Sequence, residues 1–446
     1  MWQRRVFIPL LITSLPCIGI LLSPESFDYS KEAGIIWQGL ITSALSVYLL
    51  VVLAENLSRL WMEYLLVLGS FLLTLLLAEG VLRFTHPYLA YEPFSIVSSP
   101  KLHHRLPRKS KMFDGIYRGV PVVIESNEDS LRSSCSRQDF LQNDKRVAFL
   151  GDSFVMGIGV NEQESLPRFL ERKLGKGTGQ GGDLGVLNCG VISYSPLLSR
   201  KQYEEHVRDY EPHLVLFLLD ASDIGNDRLY KSQWSEEKGR FFWRSSEYEK
   251  RRLRNWGALW RLAHPYLKPL LIEPLLLVRD GLSYLFARPK GHRVKSYEER
   301  GFNPFAARNP FFIYKESNEV TEAHMRTSLR EVLKLREMVE KDGSRFLFVL
   351  SPRYHHWSKR ACPNNWERIY YGDDEKYEYE YLKFFLREYP DKEGMIDLLP
   401  LFLAQGARAD SFVFSDDPHW NSRGNEFVAT CIARYIESHN LLKEGK

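Results

Sequence analysis

Cysteine is scarce in this chain. Cys17, Cys135, Cys189, Cys362 and Cys431 are five in 446 residues, with no Cys-x-x-Cys pair and no metal-ligand spacing. That excludes a disulfide-built scaffold and a zinc ribbon or finger. Cys135 with Cys362 remains the one candidate bridge, and only if the domain carrying them is extracytoplasmic. Net charge is small as well, +4 from 60 basic and 56 acidic residues, so there is no electrostatic case for nucleic acid. No internal repeat is present. The glycine-rich stretch 175–182 has no strand leading directly into it and no Lys-Ser/Thr pair after it, so it reads as a surface connector, not a phosphate loop. Ser235-Glu236-Glu237-Lys238 has the letters of a Ser-x-x-Lys motif but no companion motif. His355-His356 lacks carboxylate or cysteine partners and is expected as an exposed loop pair. The sequence gives no reason to expect a metal or a cofactor.

Apolar residues make up 44% of the chain but are spread unevenly. Residues 6–22, 34–54 and 60–82 are apolar runs, and about 20 such residues cross a bilayer core. They predict a membrane anchor of three transmembrane helices over 1–83. Arg4 and Arg5 precede the first run, and Arg59 lies between the second and third. The positive-inside rule then puts the N-terminus in the cytoplasm and the rest of the chain outside the inner membrane. Residues 84–119 follow as a basic linker, expected to be solvated, with contact to anionic lipid or glycan as the functional alternative.

From residue 120 the pattern alternates. Short β-prone runs at 120–126, 146–150, 186–190, 214–219, 345–350 and 395–399 are separated by helical patterns at 164–174, 197–210, 325–339, 377–389 and 424–437. Alternation of this kind predicts an α/β fold, a three-layer α/β/α domain over 120–446 with a central parallel sheet. Between 227 and 314 the alternation breaks into tryptophan-, arginine- and leucine-rich stretches punctuated by Pro269 and Pro274. This reads as an insertion over the sheet.

Two segments carry the chemistry. Gly151-Asp152-Ser153 follows a buried strand and precedes a helix, the position at which open α/β sheets bind ligands. Ser415-Asp416-Asp417-Pro418-His419-Trp420-Asn421 places carboxylates two and three residues before a histidine. A hydroxyl nucleophile needs a base within hydrogen-bond reach and a third group to orient that base. Ser153 is therefore the candidate nucleophile and His419 the candidate base.

Together the Gly-Asp-Ser and Asp-x-x-His segments resemble the first and last blocks of the SGNH (GDSL-type) hydrolase and O-acyltransferase superfamily, over roughly 126–436. The resemblance implies a flavodoxin-like sheet and an acyl-enzyme mechanism. By the family spacing Asp416 is the first choice for the orienting acid, with Asp417 the competitor. It assigns the oxyanion donors to the Ser153 N–H, the Gly190 N–H and an asparagine side chain. Here the chain departs from the family: Ser222 stands at the asparagine position, and Asn226 is the alternative donor. The reading is a membrane-anchored serine esterase or O-acyltransferase acting on an acyl ester of an extracytoplasmic glycan, lipid or envelope polymer. Acyl transfer would require a membrane partner to supply the acyl group. The alternative is a non-catalytic envelope assembly or binding protein on a degenerate SGNH fold.

Overall fold

Five apolar runs become the strands of one sheet. In the structure, a computed structural model, residues 64–70, 73, 84, 88, 91–117, 119–177, 184–241, 316–362, 365, 375–415 and 417–442 are described. The sheet comprises β1 (Lys145–Leu150), β2 (Leu184–Asn188), β3 (Leu214–Leu219), β4 (Arg345–Leu350) and β5 (Met395–Asp397). Every pairing in it is parallel, and the spatial order is β5-β4-β3-β1-β2. All six residues of β3 are buried, as are five of the six in β4. Unbroken apolar runs of this kind suit strands covered on both faces.

Side chains alternate across the sheet with period two. Ala148, Leu150, Val215 and Phe217 enter the core on one face, and Val147, Phe149, Leu214 and Leu216 the core on the other. The first face is covered by α3 (Pro196–Glu205), α5 (Asn318–Lys341) and α6 (Glu375–Glu388). Against the second lie α2 (Leu166–Gly177) and α7 (Ser422–Ser438), through Leu166, Leu170, Val428 and Ile432. The expected three layers are therefore present. The order 2-1-3-4-5 reverses direction between β1 and β3, the switch point at which a flavodoxin-like sheet opens a crevice at its carboxyl edge. α1 (Ser153–Met156) starts at that point, and α4 (Ser222–Lys231) starts just beyond β3.

Two sequence expectations change, and the one candidate bridge is not formed. The basic segment is not a bare linker where it is described. Residues His103–Arg105 and Ser110–Tyr117 are strands, and Leu102, His104, Leu106 and Met112 are buried. Apolar side chains between the basic ones supply the buried face. His355 and His356 are buried, not exposed; His356 Nδ1 accepts from the Arg353 N–H at 2.7 Å, and burial pushes its imidazole down to about 3. Cys135 and Cys362 are free thiols, and the Cys362 thiol donates to the Phe414 and Asp417 carbonyls at 3.1 and 3.3 Å.

The chain divides into two compact units. Residues Pro93–Tyr117, Val122–Ser246 and Lys295–Lys446 form the unit that holds the sheet. The other is Met1–Glu92, Arg118–Pro121 and Glu247–Val294, of which only short pieces are described, including helical residues 64–70. Most of the three apolar runs, and residues 242–314 of the expected insertion, lie outside the described residues. Among the described residues no helix is long and apolar enough to cross a membrane.

Candidate active site

Ser153 is the first residue of a one-turn helix, and Asp152 is its N-cap, with Oδ1 accepting the Phe154 N–H at 2.9 Å. As an N1 residue, Ser153 has a backbone amide with no intrahelical acceptor. Close packing holds this turn. A Cβ on Gly151 would lie 2.6 Å from Val155 Cγ2, and one on Gly190 would lie 2.1 Å from the Met156 nitrogen. Only glycine lets the end of β2 approach the nucleophile's turn so closely.

The histidine arrives on a clamped loop. Val413 and Trp420 form an antiparallel bridge across it. Asn421 caps α7 through its side-chain oxygen and donates its amide to the Ser411 and Val413 carbonyls, both at 2.8 Å. Buried Trp420 packs on Phe154 with ring centroids 4.9 Å apart, and the His419 ring lies 4.9 Å from the same phenyl. Phe154 thus sets the nucleophile's turn and the base loop against each other.

The result is a relay of three side chains. His419 Nε2 is 2.8 Å from Ser153 Oγ, and its Nδ1 is 2.5 Å from Asp417 Oδ1. The same carboxylate oxygen accepts the His419 N–H at 2.9 Å. The orienting contact is therefore made by Asp417, the carboxylate two residues ahead; Asp416, the first choice by family spacing, lies outside the described residues. Burial works to raise the Asp417 carboxyl, but the charge and hydrogen bonds of His419 hold it below the ordinary value. Burial works to lower His419, and Asp417 with help from Asp152 outweighs it, so the imidazole is more basic than usual. A base oriented at Nδ1 and hydrogen-bonded to a hydroxyl at Nε2 is equipped to take that hydroxyl's proton.

The oxyanion candidates are arranged differently from the family pattern. Ser153, Gly190 and Ser222 do stand beyond the carboxyl ends of adjacent strands β1, β2 and β3. The Gly190 N–H, however, donates to Asn188 Oδ1 at 3.0 Å. The Ser222 hydroxyl donates to Asp220 Oδ2 at 2.7 Å, and its N–H donates to the same oxygen at 2.9 Å. Asn226 is buried one turn along α4, on the Ser222 face. With its proton committed to Asp220, the Ser222 hydroxyl is not the missing donor. Ser222→Ala is expected to change ester turnover by less than about threefold, against the 10²-fold or more of a true oxyanion donor; steady-state kinetics decide between these.

Two groups escaped the sequence reading. Asp152 was legible only as a cap, yet it is a buried carboxylate whose second oxygen lies 3.3 Å from Ser153 Oγ. Burial, then the nearby Asp220, push it up to about 7. Folding therefore favours its protonated form. That contribution is full below about pH 4, where the unfolded carboxyl is also protonated, and is lost as pH rises through about 7. Asp152→Asn keeps an oxygen for the Phe154 N–H and is expected to raise stability at pH 8, where the buried carboxyl would have to ionise. The gain should vanish toward pH 4, and unfolding midpoints at both pH values measure it. Arg353, three residues beyond β4, is the second such group. Its position past a strand's carboxyl end was the available signal.

No protein-family model matches the chain, and no curated protein matches it. Among solved structures it is similar to the psychrotrophic esterase EstA from Pseudoalteromonas sp., at 12% identity and a TM-score of 0.34, over 67% of this chain and 99% of that one. It is similar also to the lipase/acylhydrolase from Enterococcus faecalis, at 13% identity and a TM-score of 0.32, over 68% and 99%. A carbohydrate acetylesterase family member from Sinorhizobium meliloti matches at 12% identity and a TM-score of 0.29, over 67% and 99%. At such identities and scores the likenesses say nothing about substrate, and the chemistry assigned to this chain rests on its own residues.

Proposed function

We propose that the chain is a serine esterase or O-acyltransferase that works through an acyl-enzyme on Ser153. The observation that carries this reading is the Ser153–His419–Asp417 relay, assembled from segments 266 residues apart in sequence. In the first half-reaction His419 Nε2 takes the hydroxyl proton as Ser153 Oγ bonds to the acyl carbonyl carbon. Collapse of the tetrahedral intermediate expels the alcohol, which receives that proton from His419. Water or an acceptor hydroxyl then enters by the reverse route, giving hydrolysis or transfer. Asp417 keeps the imidazole in the tautomer with its free nitrogen toward Ser153 and stabilises the imidazolium.

The wider setting belongs to the same proposal. Three apolar runs, with Arg4, Arg5 and Arg59 on the cytoplasmic side, support a multi-pass inner-membrane anchor with the sheet domain outside. A glycan, lipid or envelope polymer is then the substrate class within reach, and a membrane acyl-donor partner is needed for transfer. Reporter fusions after Arg83 and Lys446 test the topology, and cytoplasmic signals at both overturn it. Hydrolysis of p-nitrophenyl acetate by the full chain in detergent tests the chemistry. One observation favours the non-catalytic alternative: two expected oxyanion donors, at Gly190 and Ser222, are bonded internally. Absence of turnover across several acyl lengths would decide for it.

A further inference from the structure

A cluster of buried charge stands beside the nucleophile. Asp152, Asp220 and Asp223 are each 2% exposed or less. Asp223 Oδ2 accepts the Asp220 N–H at 2.9 Å. Asp220 Oδ2 collects three donors: the Ser222 N–H, the Ser222 hydroxyl and Arg353 Nη1, the last at 2.7 Å. The Arg353 side chain is 5% exposed and Asp220 fully enclosed, so this is a buried ion pair, held in one geometry. The Arg353 guanidinium carbon also lies 5.7 Å from the centre of the Phe154 ring, which is itself packed on His419. The loop after β4 thereby places a fixed positive charge against Phe154, the ring on which His419 packs.

We infer that Arg353 is a positioning residue of the site: anchored on Asp220 and lodged against Phe154, its charge sets the pH range in which His419 accepts the Ser153 proton. The inference rests on the esterase reading for its purpose, though not for its measurement. Four charged groups act on His419: Asp417 on its own loop, Asp152 at the cap of α1, Asp114 on the strand Ser110–Tyr117, and Arg353. Tyr117, on that same strand, feels both Asp114 and Asp417. Each of the three carboxyl groups favours the imidazolium to the extent that it is ionised, and Arg353 opposes them. A base drawn too far up would be protonated at neutral pH and useless as a proton acceptor. The arginine limits that rise. Ser222, at the asparagine position, donates to the same Asp220 oxygen that anchors Arg353.

The test follows His419 itself. Only neutral imidazole reacts with diethyl pyrocarbonate, so the pH dependence of His419 carbethoxylation in the full chain, read by peptide mass spectrometry, gives its titration midpoint. Arg353→Gln is expected to move that midpoint up, because it removes the charge that opposes the imidazolium. Arg353→Lys, which keeps the charge, should leave it within a few tenths of wild type. If Arg353→Gln does not fold, the double variant Arg353→Gln/Asp220→Asn replaces the buried pair by neutral amides, a change buried pairs tolerate, and should show the upward move relative to Asp220→Asn alone, from which it differs only in the arginine's charge. A midpoint that stays put or falls, or that moves equally in the Lys and Gln variants, overturns the inference. The acid limb of kcat/KM for p-nitrophenyl acetate should follow the midpoint. A moved midpoint in a protein with no turnover would instead reject the esterase reading and leave the Arg353–His419 coupling standing.

Discussion

Ser153→Ala is expected to lower ester turnover by about 10⁴–10⁶-fold, to the level that binding and backbone donors alone sustain. The size of the effect follows from the loss of a covalent route, not from damage to the fold. Asp152 caps α1 through the Phe154 N–H, and that bond does not involve the serine hydroxyl. Thermal unfolding of the variant should therefore match wild type. The comparison needs kcat on one activated ester and an unfolding curve for each protein. A folded Ser153→Ala enzyme retaining a tenth of wild-type turnover would remove Ser153 from the mechanism.

The second large effect lies on the acid. Asp417→Asn is expected to cost about 10³-fold in kcat/KM, since an asparagine can leave the imidazole in the wrong tautomer and no longer stabilises its charged form. The loss should fall short of the roughly 10⁴ seen for a sealed triad acid, because the Asp417 side chain is 41% exposed and water can serve Nδ1 in its place. Asp416→Asn should have little effect, because the Nδ1 position is already taken by Asp417. Kinetics of the two variants side by side distinguish the carboxylates, and a costlier change at Asp416 would mean that the loop pairs differently in solution.

Much of this architecture can be read from the chain, for physical reasons. Strands such as Leu214–Leu219 and Arg345–Leu350 are buried on both faces and so appear as unbroken apolar runs, which fixes their place at the sheet's centre. Ser153 and His419 are legible because the chemistry demands a hydroxyl and an imidazole at loop-to-helix positions. What spacing does not encode is the direction of a side chain. Asp416 and Asp417 both suit a loop interrupted by Pro418, and only the folded loop turns Asp417 onto Nδ1. Ser222 occupies its predicted strand end, yet its hydroxyl answers to Asp220, two residues away, whose same oxygen also holds Arg353 from the loop after β4. Burial misled in the same way. The charged letters of 101–111 suggested solvent, while Leu102, Leu106 and Met112 are the residues that pack.

Ser153 is, on this reading, a nucleophile activated by His419. Treating the full-length chain with a fluorophosphonate at neutral pH tests it most directly, since phosphonylation needs the activated hydroxyl and no knowledge of the natural ester. One adduct per chain is expected, mapped to Ser153, formed slowly in Asp417→Asn and absent in His419→Ala. A folded wild-type protein that gains no adduct, or gains it at another serine, would show that Ser153 is not an activated nucleophile.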